Sequence, residues 1–172
     1  PISAGFNWGD PPPCNENTCI TTEYAISLIK RMKLFNILPE VFWLDAGWYE
    51  KAADYFDNKD WYNTVGNWVV DSVRFTDGFR PVTEAAHKVG SKFLLWFEPE
   101  RVYKDSRWYN MHPQWLLKTA DSLTFIYNLG DPEAHKWLCK YMGDFLEQNG
   151  IDIYRQDFNC NLETAWKTHD EP

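Results

Sequence analysis

Basic residues are in the minority in this chain: 17 Lys and Arg stand against 25 Asp and Glu, for a net charge of −8. Nucleic acid is therefore not an expected partner, because phosphate binding needs a basic surface. No apolar run approaches the roughly 20 residues of a membrane span, so no membrane partner is expected either. No Gly-rich phosphate fingerprint follows a strand-like run, which disfavours a Rossmann dinucleotide site. Cysteine is scarce. Cys14, Cys19, Cys139 and Cys160 form no C-x-x-C pair, and no His stands at zinc-ligand spacing. No metal or cofactor is expected. Cys14 and Cys19 bracket a short loop that a disulfide could close in an oxidising compartment; free thiols are the preferred reading. The first residues, Pro1-Ile2-Ser3, lack the basic and apolar regions of a signal peptide. The first residue is not Met, so this end reads as a processed or trimmed boundary. The compartment stays open, with the cytoplasm slightly favoured. The oligomeric state is equally open, a homo-oligomer included.

Aromatic residues are abundant, at 17%, with 10 Trp, 9 Tyr and 11 Phe. Large rings usually fill a core. Trp also covers the apolar faces of sugar rings, and Trp8, Trp48 and Trp96 sit at or just beyond strand-like runs.

Three such runs share one design, an apolar stretch with carboxylates at its downstream end. They are Val41-Phe42-Trp43-Leu44-Asp45, Phe93 to Phe97 followed by Glu98-Pro99-Glu100, and Ile151 to Asp157. A buried parallel strand reads this way when its C-terminal end delivers a catalytic group. Ser3 to Trp8 is a shorter candidate for a first strand. Helical spacing fills the intervals. Thr21 or Thr22 caps a helix with Ala25, Leu28, Ile29, Met32 and Phe35 on one face. Pro81 starts a second helix that Gly90 closes. Asp131-Pro132 starts a third, which ends at Gly150. Residues 46–80 read as an elaborated loop. Residues 101–130 read as another, with an extra strand near Phe125–Leu129. The tail after the last strand is polar.

Strand–helix repeated three times, then a strand, predicts parallel βα units. Acids at successive strand ends fit a (β/α)8 barrel. A complete barrel takes about 250 residues, so residues 1–172 are expected to form its first half, about four βα units with long strand-to-helix loops. The remainder of the barrel is then a necessary partner, since a half would leave open sheet edges and a bare inner face.

The strand ends resemble those of the melibiase-type α-galactosidases, glycoside hydrolase family 36. Leu95-Trp96-Phe97-Glu98-Pro99-Glu100-Arg101-Val102 is similar to the family's Leu-Trp-Phe-Glu-Pro-Glu-Met-Val. Val41 to Trp48 resembles its Leu-Asp-Asp-Gly-Trp strand end, and Tyr154 to Asn159 its Lys-Trp-Asp-Met-Asn segment. Asn7-Trp8 and Gly66-Asn67-Trp68 resemble two further blocks. The resemblance implies an α-glycoside or oligosaccharide substrate and a retaining mechanism. Asp157 maps onto the nucleophile, with the acid/base beyond this chain. It also implies sugar-binding positions at Asp45, Trp8, Trp48, Trp96, Arg155 and Asn159. Three departures fall on recognition positions. The family's paired Asp-Asp is Asp45-Ala46, its Lys is Arg155, and an Arg aligns with Ser122. The expected chemistry is retained, while the sugar is left open between an α-galactoside and a related α-glycoside.

Three alternatives accompany this expectation. Glu98 or Glu100 could serve as acid/base on chemistry alone, although a strand-end role holding loops is preferred for both. A carbohydrate-binding protein without hydrolysis would share the motifs. A metal-assisted hydrolase would use Asp45, Glu98 and Asp157 as ligands.

Overall fold

The computed structural model describes residues 20–50 and 61–170. The expected strand at Ser3–Trp8, the Cys14 and Cys19 pair and the site position Trp8 lie outside the described residues. The other three strands form where the acid-ended runs stand: β1 (Val41–Leu44), β2 (Lys92–Phe97) and, last in the chain, β6 (Ile153–Gln156). They make one parallel sheet in the order β1-β2-β6. Trp43 pairs with Leu94 and Leu94 with Ile153, while Leu95 lies between Leu44 and Tyr154.

Helices link these strands, as parallel pairing requires. α1 (Thr22–Leu34) precedes β1, α2 (Arg80–His87) joins β1 to β2, and α4 (Pro132–Asn149) leads into β6. Thr21 Oγ1 caps α1 by accepting from Tyr24 N at 3.2 Å. Asp131 caps α4 by accepting from Glu133 N and Ala134 N, with Pro132 in its first turn. All three helices end alike. Asn36, Gly90 and Gly150 take left-handed φ of 55°, 84° and 66°. Each donates its N–H to the carbonyl three residues back, and the next residue donates five back. This double closure satisfies the last carbonyls and turns the chain toward the next strand. The start of α2 also caps the end of α4: Arg80 donates to the carbonyls of Glu147 and Gln148, and Asn149 Oδ1 accepts from Phe79 N.

One sheet face is thereby covered. Phe93 meets Phe79 at the start of α2, and Phe97 meets Phe145 of α4, with ring centroids 6.2 and 5.5 Å apart. Strand alternation puts Phe42, Leu44, Phe93, Leu95 and Phe97 on this side, and all are buried. α2 and α4 thus lie on one face of a parallel sheet whose strands run in chain order.

The two excursions are more structured than their sequences announce. Residues 101–130 carry an antiparallel sheet in the order β3-β5-β4, made of β3 (Arg101–Tyr103), β4 (Leu116–Lys118) and β5 (Thr124–Tyr127), with α3 (Arg107–Met111) between β3 and β4. Residues 61–80 add a 3-10 turn at Trp61–Thr64 and send Val65, Trp68, Phe75 and Phe79 into the core. The tail expected to be polar forms α5 (Leu162–His169), whose Leu162 and Ala165 pack with Ile126 of β5. Their apolar residues are spaced as a helical face, but only the neighbouring sheet gives that face something to cover. No helix among the described residues is long and apolar enough to cross a membrane.

Candidate active site

Alternation along the three parallel strands puts Trp43 and Asp45, then Leu94, Trp96 and Glu98, then Ile153, Arg155 and Asp157 on the face away from the helices. Asp157 stands one residue past β6 and extends the pairing by donating its N–H to the Phe97 carbonyl at 2.8 Å. Its carboxylate is held on several sides. Trp96 Nε1–H donates to Oδ2 at 2.8 Å, Asn159 Nδ2 reaches the same oxygen at 3.3 Å, and Arg155 Nη2 lies 3.5 Å from Oδ1. Partial burial opposes ionisation, but these donors, with the Phe158 backbone N–H, outweigh it and hold the acid below the ordinary carboxylate range. Asp157 is thus an anion with about a third of its side chain still open to solvent, as an attacking group needs.

Arg155 is itself supported. Its guanidinium carbon lies 4.4 Å from the centroid of the Trp43 ring, a cation–π contact. Trp43 had no role in the sequence reading, although its position two residues before Asp45 on one strand already put it on the acid-bearing face. Asp45 is half-buried, and its Oδ1 accepts from Ala46 N at 2.9 Å. Ala46, where the family motif carries a second Asp, is 7% exposed.

Two of the expected sugar-binding tryptophans are corrected. Trp48 is fully buried, donates Nε1–H to the Trp96 carbonyl, and is packed by Tyr49, Trp68, Phe79, Phe97 and Phe145. No face of its ring is left for a sugar, so it is a core residue. Trp96 is 1% exposed, and its ring lies against Trp61 and Trp68. Its contribution to the site is its edge, which orients Asp157. In both cases part of the cover comes from the excursion at 61–80, Trp68 and Phe79 over Trp48 and Trp61 and Trp68 over Trp96, and that packing cannot be read from local sequence.

Behind the nucleophile candidate lies a buried ion pair. Arg101 Nε and Nη2 donate to the two oxygens of Glu98 at 2.8 and 2.7 Å, with the two side chains 0% and 1% exposed. Arg101 Nη1 donates to the Tyr62 carbonyl, and the guanidinium lies 3.7 Å from the Tyr62 ring centroid. Glu98 also accepts from Asn159, the backbone N–H at 2.7 Å and Nδ2 at 3.3 Å. Asn159 therefore bridges Glu98 and Asp157. Glu98 takes the structural role preferred for it, and removing one partner of such a buried pair typically costs roughly 3–5 kcal/mol. Glu100 accepts from Gln156 Nε2 at 2.8 Å. Burial pushes its acid above the usual range, with the Gln156 bond working against that and the neighbouring Glu98 adding to it. Among the described residues no three His, Cys, Asp or Glu side chains gather closely enough to hold a metal ion. Asp45, Glu98 and Asp157 form no such group.

The parallel sheet with its linking helices makes this an α/β protein, with an ionised carboxylate at the C-terminal end of one strand beside other polar strand-end residues. The chain belongs to the Melibiase family, whose model matches residues 22–171. It is 28% identical over 164 residues to alpha-galactosidase 2 of Pediococcus pentosaceus, covering 89% of this chain and 22% of that protein. The alpha-galactosidase of Lactobacillus brevis superposes with a TM-score of 0.68 at 32% identity, over 81% of this chain and 19% of that one. A GH36 alpha-galactosidase from Geobacillus stearothermophilus, solved in complex with raffinose, shares the fold with a TM-score of 0.68 at 20% identity, over 81% of this chain and 19% of its own. The chain thus spans about a fifth of the length of the relatives it matches.

Proposed function

We propose that these 172 residues are the nucleophile-bearing half of a (β/α)8 glycosidase barrel that hydrolyses α-galactosides or related α-glycosides with retention. The observation that carries this reading is Asp157, ionised by Trp96, Asn159 and Arg155 at the end of β6, on the same sheet face as Asp45. Family membership and the raffinose bound to a related fold support the substrate class.

In the first step an Asp157 oxygen attacks the anomeric carbon. The bond to the leaving oxygen breaks, and a second carboxyl outside this chain protonates that oxygen. In the second step the same group takes a proton from water, whose oxygen displaces Asp157 from the sugar. Retaining glycosidases hold the two carboxyls about 5–5.5 Å apart. Trp96 and Asn159 fix the attacking oxygen, and Arg155 meets the other. Asp45 supplies a charged acceptor for sugar hydroxyls, since such a bond is strong and its loss leaves a hydroxyl unpaired.

The test is Asp157→Asn in the protein that contains this chain and the rest of its barrel, assayed on aryl α-galactosides. Turnover should fall by on the order of 10⁴-fold with the fold intact. In Asp157→Ala, azide should take the place of the missing carboxylate and yield the β-glycosyl azide. Retained turnover in Asp157→Asn would overturn the assignment. Sugar binding without turnover in the unaltered protein would favour a carbohydrate-binding role.

A further inference from the structure

Arg101 stands where the resembling family motif carries Met, and it has no direct contact with the candidate nucleophile. We infer that Arg101 is a positioning residue that acts on Asp157 through Glu98 and Asn159. This rests on the reading of Asp157 as nucleophile.

The connection runs through four bonded groups. The Arg101 fork occupies both Glu98 oxygens at 2.8 and 2.7 Å. A bidentate pair of this kind fixes the plane of a carboxylate as well as its place. Those oxygens, so fixed, receive the backbone N–H and the side-chain amide of Asn159 at 2.7 and 3.3 Å. The same amide nitrogen reaches Asp157 Oδ2 at 3.3 Å. The Asn159 amide has two N–H groups on one nitrogen. Anchoring one on Glu98 aims the other at Asp157, and the backbone bond stops the loop after β6 from swinging away.

The far end of the relay is anchored as well. Arg101 donates to the Tyr62 carbonyl at 2.8 Å and lies over the Tyr62 ring, with Trp61 5.5 Å from its guanidinium. Trp61 in turn packs edge-on against Trp96, the other donor to Asp157 Oδ2. The 3-10 turn at Trp61–Thr64 therefore braces both donors to that oxygen, one through Trp96 and one through Arg101. A methionine at position 101 has no donors for Glu98 or for the Tyr62 carbonyl.

The experiment uses the protein with its complete barrel and compares Arg101→Met, Asn159→Ala and the double variant, with Asp157→Asn alongside. Arg101→Met should lower kcat about 10-fold with KM within about twofold, because the lost orientation acts on the reacting carboxylate more than on bound substrate. The acid limb of the kcat/KM profile should move to higher pH, since a carboxylate that loses an N–H donor is a weaker acid. The double variant should fall no further than the worse single variant, as expected for groups acting in series. Arg101→Lys, which keeps a cation for Glu98 but not the planar two-pronged grip, is the second route if Arg101→Met does not fold, and should move the acid limb the same way by less. An unmoved acid limb in the folded variants, or full additivity with Asn159→Ala, would overturn the inference while leaving Asp157 in place. Retained turnover in Asp157→Asn would overturn the functional reading and the inference with it.

Discussion

The two faces of the parallel sheet differ as a finished wall differs from a working surface. On the helix side Phe42, Leu44, Phe93, Leu95 and Phe97 are buried under α2 and α4. On the other side Trp43, Asp45, Leu94, Ile153, Arg155 and Asp157 are partly exposed, while Trp96 and Glu98 are buried against Trp61 and Arg101. The residues alternate along the same strands, so backbone geometry cannot account for the difference. It comes from what covers each face. The helix side is closed by apolar groups that prefer to leave water. The opposite side keeps its charge because charged groups can be held there by partial solvation and by a few aimed donors. Apolar burial thus dominates one face, and the strand-end carboxylates with their donors stand on the other.

Substitutions on the two faces should separate along that line. The largest effect is expected from Asp157→Asn, with turnover down on the order of 10⁴-fold and an unfolding midpoint near that of the unaltered protein. Phe97→Ala, one strand away on the covered face, should do the reverse in kind. Loss of a buried Phe at the meeting point of Trp48, Trp68 and Phe145 should cost about 3–5 kcal/mol in denaturant unfolding. A Phe97→Ala protein as stable as its parent would break the comparison.

A smaller effect is expected at Arg155. Arg155→Lys keeps the charge but loses the planar contact with Trp43, which is worth about 0.5–1 kcal/mol at such a partly exposed site. Because the resembling family carries Lys there, kcat/KM for an α-galactoside relative to other aryl α-glycosides should rise several-fold. A galactoside preference unchanged by the substitution would remove Arg155 from specificity.

An effect of similar size belongs to the opposite end of the sheet. Asp152 Oδ2 accepts from His87 Nε2 and from Phe93 N, both at 2.7 Å. Partial burial resists its ionisation, and the His87 bond, the Phe93 N–H and the nearby charges of His87 and Lys92 overcome it, so the acid lies below its ordinary value. A carboxyl depressed on folding stabilises above its unfolded pKa, and that stability is lost as pH falls through the folded value. Asp152→Asn should therefore cost about 1 kcal/mol at pH 7. The gap to the unaltered protein should close as pH drops below the ordinary carboxylate range, as read from unfolding midpoints across pH. A gap that is constant with pH would show that the bond does not depend on charge.

Much of the parallel framework was legible in sequence because its signals are local. Asp131-Pro132 and Thr21 cap the helices they were expected to cap, and each acid-ended apolar run became a strand. The excursions were not legible. Arg101–Tyr103 and Leu116–Lys118 are strands of three residues each, too short to show a period. Both are stabilised by pairing with β5, β4 as the other arm of a hairpin and β3 from a distant stretch of the chain. Within the site, Asp157 and Arg155 carry their own motif, whereas the burial of Trp48 and Trp96 depends on Trp68 and Trp61 arriving from another segment. The pairing of Glu98 with Arg101 had only a three-residue spacing to suggest it.

The sequence by itself therefore determined the strand–helix order, the caps and the face on which the acids stand. Each of these follows from backbone periods of 2 and 3.6 residues and from the chemistry of single residues. Only the tertiary structure decided which tryptophans are core, and that Asn159 bridges Glu98 to Asp157. Those outcomes depend on which distant segment covers a side chain, because burial and donor geometry belong to contacts made across the fold.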